Sequence, residues 1–518
     1  MHEVNQKALK GTYLLTLAAL IAKVLSAFYR IPFQNLVGNR GFYVYQQIYP
    51  IYGIGMTLAL NGLPTFISKL VAENEDANQR ELVIRDTSRI LIMTSMSIFM
   101  LLYFGSFMLA DLMGDILLAP VIKSVSWMFL LMPYLSMSRG YYQGILDMRP
   151  TAYSQVIEQF IRVSIIILVA YLSSKMNYDP YKTGTLAMLS SPIAGLVALI
   201  VILPKSFFLF NRDQFQFKIN KRLAKKLLIE GGTICLITAI MVILQLVDSF
   251  SVVNGLKQMG KGIYWSQNVK GIYDRAQTLV QLGLVLGVSA SSAMLPTLTL
   301  LFKKQREDQF WQLTKNIFHV NLAIAMAIWV GLTALMPEIN RLLFKTASLD
   351  LTISIYCFSI ILVTILLIYN SILLSRNIYL PLIKAVLLGI IVKVLITKLM
   401  VIKLGIIGAS LSTVLSLASM LLLLKFHSGV KVPKIVKSIQ VTKLIFLLLF
   451  MGIGVRLVAN GLNLMLFNNL RINSFIILLI NIPLGVIIFI LGSLKLKLFT
   501  LEEWNQVPLL KKFIRIRK

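Results

Sequence analysis

Apolar runs of about 20 residues, the length a helix needs to cross the hydrocarbon core of a bilayer, recur along the whole 518-residue chain. Lipid offers no partner to a backbone N–H or C=O. A chain of this kind therefore closes its peptide hydrogen bonds inside each helix and folds as a bundle of spans. The length rule places about fourteen of them, the first opening at Gly11 and the last at Asn473. With 57% hydrophobic and 14% charged residues, the composition is that of a protein whose solvent is mostly lipid. The first run is too long for the core of a cleaved secretory signal and reads as a retained span. The expectation is an all-α polytopic membrane protein.

The formal net charge of +30 does not gather into one basic domain interleaved with aromatics, which argues against nucleic acid as a partner. The positive residues instead punctuate the gaps between spans. The most basic connections, Lys205 to Lys226, Lys425 to Lys443 and Lys495 to Lys518, fall on the side that holds the termini. By the positive-inside rule both termini are expected in the cytoplasm. Such clusters lie against anionic membrane lipids; cell-envelope biosynthesis enzymes are the other partners they could recruit. The longest polar connection within the first twelve spans marks a boundary. The expected organisation is an N-terminal lobe over residues 1–207, a basic cytoplasmic connection over 208–228, a second lobe over 229–430, and two further helices with a basic tail over 431–518.

A weak internal repeat supports two halves. Gly11-Thr12 recurs as Gly232-Thr233, and Leu63-Pro64-Thr65 as Leu295-Pro296-Thr297. The second offset is longer by the residues of the connection from Val253 to Lys270. Two pseudo-symmetric six-helix lobes follow, with two C-terminal helices appended, an arrangement in which repeats rock about a midplane site to give alternating access. Pro64 and Pro296 each remove a mid-helix hydrogen bond and predict kinks near the inner ends of spans 2 and 8. Gly283 and Gly287 have the spacing of close helix packing.

Charged groups inside spans are costly and face a partner or a wet cavity. Lys23 and Arg30 are seven residues apart, about 20° short of two turns, so they share a face of span 1 and its extension. Lys23 either lines a cavity or snorkels to the outer interface. Arg275 opens span 8 in "GIYDRAQTLVQLG", with Asp274, Gln277 and Gln281 at spacings of three and four. Asp248 of span 7 is placed to pair with Arg275, Arg30 or Lys23, or to bind a cation. Asn61, Gln46 and Gln47 of span 2 are polar groups that lipid cannot satisfy. Glu158 and Arg162 read as an (i, i+4) ion pair. Lys384 and Lys393 lie on opposite faces of one span and are expected to snorkel. The segment from Ala72 to Asp86 reads as a solvated connection.

An enzyme is not expected. His2, His319 and His427 form no H-x-x-x-H pair, there is no phosphate-cradling G-x-x-x-x-G-K, and neither cysteine has metal-ligand spacing. Cys235 and Cys357 sit in apolar runs as small hydrophobes. No metal or cofactor is expected; Na⁺ or H⁺ is the candidate coupling ion.

The stretch "KVLSAFYRIPFQNLVGNRGFYVYQQIYPIYGIGMTLALNGLPTFISKLVAE", with "YDRAQTLVQLGLVLGVSASSAMLPTL" and the less specific "LGIIGASLSTVLS", resembles the polysaccharide-biosynthesis (stage V sporulation protein B-like) branch of the multidrug/oligosaccharidyl-lipid/polysaccharide exporter superfamily, which includes the lipid II flippases. The resemblance implies fourteen helices in two lobes around a cavity whose cations hold the pyrophosphate of a polyprenyl-linked glycan substrate. Its basic positions fall on Lys23 and Arg275. Arg30 lies one position beyond a second basic position, where this chain has Tyr29. The function this implies is a flippase for a polyprenyl-pyrophosphate-linked oligosaccharide or peptidoglycan precursor. The rivals are a cation-coupled drug antiporter, which would need more buried carboxylates than the spans offer, and a non-transporting scaffold for envelope synthesis.

Overall fold

The computed structural model describes residues 14–74 apart from 16, 19, 20 and 23, then 77–206, 221–428, 438–465, 469–500 and 503. Every regular element in those residues is helical, and twelve helices are long and apolar enough to cross a membrane. The protein is a multi-span membrane protein. Two compact units divide it: Met1–Asp274 with Val394–Gly405, and Arg275–Lys393 with Ile406–Lys518.

In the first unit, α1 (Arg30–Thr57) consists of two arms joined at Gly38. Gly38 holds φ at +73°, a left-handed value that glycine adopts without a Cβ penalty. The chain folds back there, so Phe33 meets Phe42 and Tyr29 meets Tyr45. A π-turn at Leu58–Gly62 leads into α2 (Leu63–Glu73). Pro64 has no N–H to give, and the helix widens by one residue just ahead of it. This is a helix irregularity next to the expected kink. A second π-turn, Leu227–Gly231, opens span 7, and a Cβ built on Gly62 would sit 2.2 Å from Cys235 Sγ. The remaining long helices are α3 (Ala77–Phe104), α4 (Ala119–Gly144), α5 (Arg149–Met176), α6 (Pro180–Ser206), α7 (Ile240–Gln258) and α8 (Ile263–Tyr273). They share one core, from Phe33 and Phe66 to Met188 and Val253. Large apolar side chains such as Leu101, Phe104 and Phe160 point outward, a surface that suits lipid.

The second unit holds α9 (Arg275–Lys303), α10 (Glu307–Ala334), α11 (Met336–Phe344), α12 (Asp350–Cys357), α13 (Ser359–Ser375), α14 (Leu380–Leu404), α15 (Ile406–His427), α16 (Ser438–Met465) and α17 (Leu470–Lys495). The α14 helix passes from the second unit into the first at Val394. Helices α9, α10 and α13 pack together, α12 and α13 lie on α15, and α16 pairs with α17. The appended pair is tied down by Arg456 on Glu338, at 3.1 Å, and by Arg471 Nε donating to the Leu342 carbonyl at 2.9 Å.

Four expectations are corrected. The connection from Val253 to Lys270 is almost all helix, broken only at Met259–Gly262, because its apolar residues pack on α1. From Ala77 onward the segment up to Asp86 belongs to α3. Helix resumes at Lys221, inside the expected basic connection. Lys393 does not snorkel: it is fully buried, while Lys384 is exposed.

Candidate functional site

The fold-back at Gly38 brings a block of tyrosines into the interior of the first unit. Tyr45, Tyr49 and Tyr52 follow one another at helical spacing on α1, and the Tyr29 hydroxyl meets that of Tyr45 at 2.8 Å. Two arginines lie in this aromatic box. The Arg162 guanidinium sits over Tyr52 at 4.7 Å and Tyr29 at 5.1 Å, and its Nη2 donates to Gln159 Oε1 at 2.7 Å. Arg30 is fully buried with its guanidinium 4.3 Å from the Tyr49 ring. None of its three side-chain nitrogens has a hydrogen-bond acceptor. A cation stacked on a ring face gains about 2 kcal/mol when desolvated, whereas each buried donor left unsatisfied costs about 1–3 kcal/mol. The box holds the charge in place and leaves its donors unused.

Other buried polar atoms on α1 and α7 also have no hydrogen-bond partner within the chain: both amide atoms of Gln46 and of Gln245, Gln47 Oε1, Gln34 Oε1 and Tyr52 Oη. Native interiors keep such atoms few.

Asp248 of α7 accepts a hydrogen bond from Tyr273 Oη at 3.2 Å. Asp274, at the end of α8, is fixed by Lys270 Nζ at 2.5 Å on Oδ1, while its Oδ2 is buried without a partner. Tyr273, next to Asp274 in sequence, thus links Asp248 of α7 to the Lys270–Asp274 pair at the end of α8.

Arg275, Gln277 and Gln281 belong to the second unit. Arg275 donates to Thr346 Oγ1 at 3.0 Å and stacks on Phe344 at 4.9 Å. Gln277 accepts from Tyr356 Oη at 2.9 Å, and Gln281 is half-buried. Lys23 lies outside the described residues. Asn61 is part of the π-turn, and its side chain is also outside them.

Three buried arrangements were not legible beforehand. Glu158 pairs with Arg139 of α4 at 2.6 Å rather than with Arg162, and Arg139 also holds Ser154 at 2.7 Å. The (i, i+4) reading is corrected because Arg162 points into the tyrosine box instead. Lys393 Nζ is held by Ser412 Oγ at 2.9 Å, Thr413 Oγ1 at 2.7 Å and the Ala409 carbonyl at 3.4 Å. Asp115 Oδ2 accepts from Tyr43 at 3.1 Å and from Tyr181 and Gln267 at 2.9 Å each, so one carboxylate ties α1, α6 and α8. A lone Arg139 in the apolar run "PYLSMSRGYYQG" was the one available signal. Among the described residues no three His, Cys, Asp or Glu side chains gather as metal ligands.

The profile of the family described as Polysaccharide biosynthesis protein matches residues 8–302. The chain belongs to that family, within the multidrug/oligosaccharidyl-lipid/polysaccharide exporter superfamily. Membrane protein YabM of Bacillus subtilis (strain 168) is 31% identical to this chain over 98% of it and 97% of YabM. Lipid II flippase MurJ of the same organism is 30% identical over 38% of this chain and 39% of its own. Among solved structures, lipid II flippase MurJ in an inward closed conformation superposes with a TM-score of 0.69 at 16% identity, over 93% of this chain and 98% of that one. At that identity the likeness establishes the fold of this polysaccharide biosynthesis protein.

Proposed function

We propose that this polysaccharide biosynthesis protein is a flippase that carries a polyprenyl-pyrophosphate-linked oligosaccharide or peptidoglycan precursor across the bacterial cytoplasmic membrane by alternating access, with both termini in the cytoplasm. The observation that carries the reading is Arg30, a fully buried guanidinium over the Tyr49 ring whose three nitrogens have no hydrogen-bond acceptor within the chain. Such a group is built to receive an anion, since its planar donors match phosphate oxygens. A pyrophosphate entering low-dielectric surroundings needs a fixed cation to replace its water. The relatives and the shared fold support transport over catalysis.

The test is binding of a polyprenyl pyrophosphate and of the matching uncharged polyprenol to protein in lipid nanodiscs. The pyrophosphate should bind at least tenfold more tightly, and Arg30→Gln should remove most of that preference. Equal binding of the two lipids would contradict the reading. A drug antiporter predicts instead that organic cations compete. A scaffold predicts that neither lipid binds and that loop changes alone matter.

A further inference from the structure

Lys393 of α14 and Ala409, Ser412 and Thr413 of α15 are all fully buried in the second unit. Residues 409, 412 and 413 stand three and four apart, so their oxygens share one face of α15. Both hydroxyls donate to the Ala409 carbonyl, at 2.8 and 3.1 Å. With their protons committed there, they accept from Lys393 Nζ, at 2.9 and 2.7 Å, and the carbonyl oxygen lies 3.4 Å from the same nitrogen. Three acceptors match the three N–H donors of an ammonium. The side chain is therefore a monovalent cation in a cage of oxygens. Hydroxyl and carbonyl oxygens are also what hard metal cations take as ligands, and inside membranes backbone carbonyls hold K⁺ and Na⁺ by replacing their water.

We propose that this face of α15 is a monovalent-cation site that the chain fills with its own lysine. Lys393 is a tethered cation: it joins α14 to α15 through the oxygens that a free alkali ion would use. The proposal is independent of the anion reading of Arg30, which belongs to the other unit. A tethered charge is present at every salt concentration and cannot leave, so this contact does not respond to Na⁺ or K⁺ and is not a place where a coupling ion enters and departs. Truncating the lysine opens an oxygen-lined space of ammonium size. Ammonium and K⁺ are nearly equal in size, whereas Na⁺ needs its oxygens closer in and choline is too large to enter. The vacated cage therefore selects methylammonium, ammonium and K⁺ ahead of Na⁺, with choline excluded. A lysine that serves only as polar glue between two helices predicts no such selectivity.

The experiment compares thermal midpoints of wild type and Lys393→Ala in detergent, each purified in the chloride of choline, Na⁺, K⁺, ammonium or methylammonium at equal ionic strength. Wild type should show the same midpoint in all five salts. Lys393→Ala should melt lower in choline and recover at least about 3 °C, saturably, in methylammonium, ammonium or K⁺, because a ligand that binds only the folded protein stabilises it by mass action. Adding Ser412→Ala and Thr413→Val to Lys393→Ala should abolish the recovery. Lys393→Met, whose apolar side chain occupies the space, should show no preference among the salts. Recovery of Lys393→Ala in none of the salts, which includes a variant that folds in none of them, overturns the proposal, as does recovery that survives loss of both hydroxyls. The wild-type arm needs no variant to fold with a hole in it: stabilisation of wild type by Na⁺ or K⁺ over choline, removed by Ser412→Ala, would put a free ion in the cage and overturn the tethered one.

Discussion

At the scale of single residues, burial sorts the charged side chains by what holds them. Arg139 and Glu158 are both almost completely removed from solvent and 2.6 Å apart. Removing one partner of such a pair strands the other, which costs about 3–5 kcal/mol. We expect Glu158→Gln to lower the thermal midpoint sharply in detergent, and Arg139→Met with Glu158→Met to recover much of the loss. An equal loss in the single and double variants would count against a stranded charge. Lys393 behaves differently, because Ser412 and Thr413 also reach the Ala409 carbonyl of their own helix, at 2.8 and 3.1 Å. Lys393→Met therefore leaves those hydroxyls satisfied and should change stability by under about 1.5 kcal/mol. Ser412→Ala with Thr413→Val strips oxygens from a buried ammonium and should cost about 1.5–3 kcal/mol for each bond. Thermal midpoints of the two variants, measured side by side, decide the order.

At the scale of elements, the fold depends on two close approaches. A Cβ built on Gly271 of α8 would lie 2.1 Å from the carbonyl oxygen of Asn39, a backbone atom that cannot swing aside. Gly271→Ala should push α8 off α1 and cost about 1–3 kcal/mol, as overpacking does; a variant as stable as wild type would mean that the two elements already sit farther apart. The second approach is the short segment after α17. Thr500 N donates to Glu503 Oε2 at 2.6 Å, and His319 Nδ1 meets Oε1 at 2.8 Å. Burial pushes the Glu503 carboxyl up, but the hydrogen bonds from His319 and Thr500 outweigh it and hold the group below the usual carboxylate range. A depressed carboxylate contributes stability above its unfolded value of about 4.3, and that contribution is lost as pH falls through the lower folded value. The gap in thermal midpoint between wild type and Glu503→Gln should stay constant above about pH 5 and close below about pH 4; a gap that widens on acidification would contradict it.

The helical class was legible because lipid leaves the backbone no alternative; beside the fourteen spans expected, twelve helices among the described residues are long and apolar enough to cross a membrane. The missing N–H of Pro64 pointed to an irregularity there, but its form, a π-turn just ahead of the proline, was not legible. Side-chain partners were not legible where several acceptors lie within reach of one long side chain. Arg162 had a carboxylate one turn away and still turned into the tyrosine box, since two rings and a glutamine hold it there. Lys393 looked free to snorkel because helix spacing carries no information about the hydroxyl-bearing face of α15. That Arg30 would turn to the protein interior was legible because a charge inside a span has few alternatives, and it lies buried over the Tyr49 ring.

At the scale of the whole molecule, a chain of the polysaccharide biosynthesis family, helical in every regular element of the described residues, buries an arginine against a block of tyrosines. The account holds that this arginine meets the charged headgroup during passage. The most direct measurement is leaflet exposure of a labelled polyprenyl-pyrophosphate-linked disaccharide in proteoliposomes, comparing wild type with Arg30→Gln at matched protein levels. Wild type should expose the lipid on the opposite leaflet, and Arg30→Gln should slow that exposure by at least tenfold. Equal exposure in the two proteins, or none in wild type under imposed pH, Na⁺ and voltage gradients, would contradict the account.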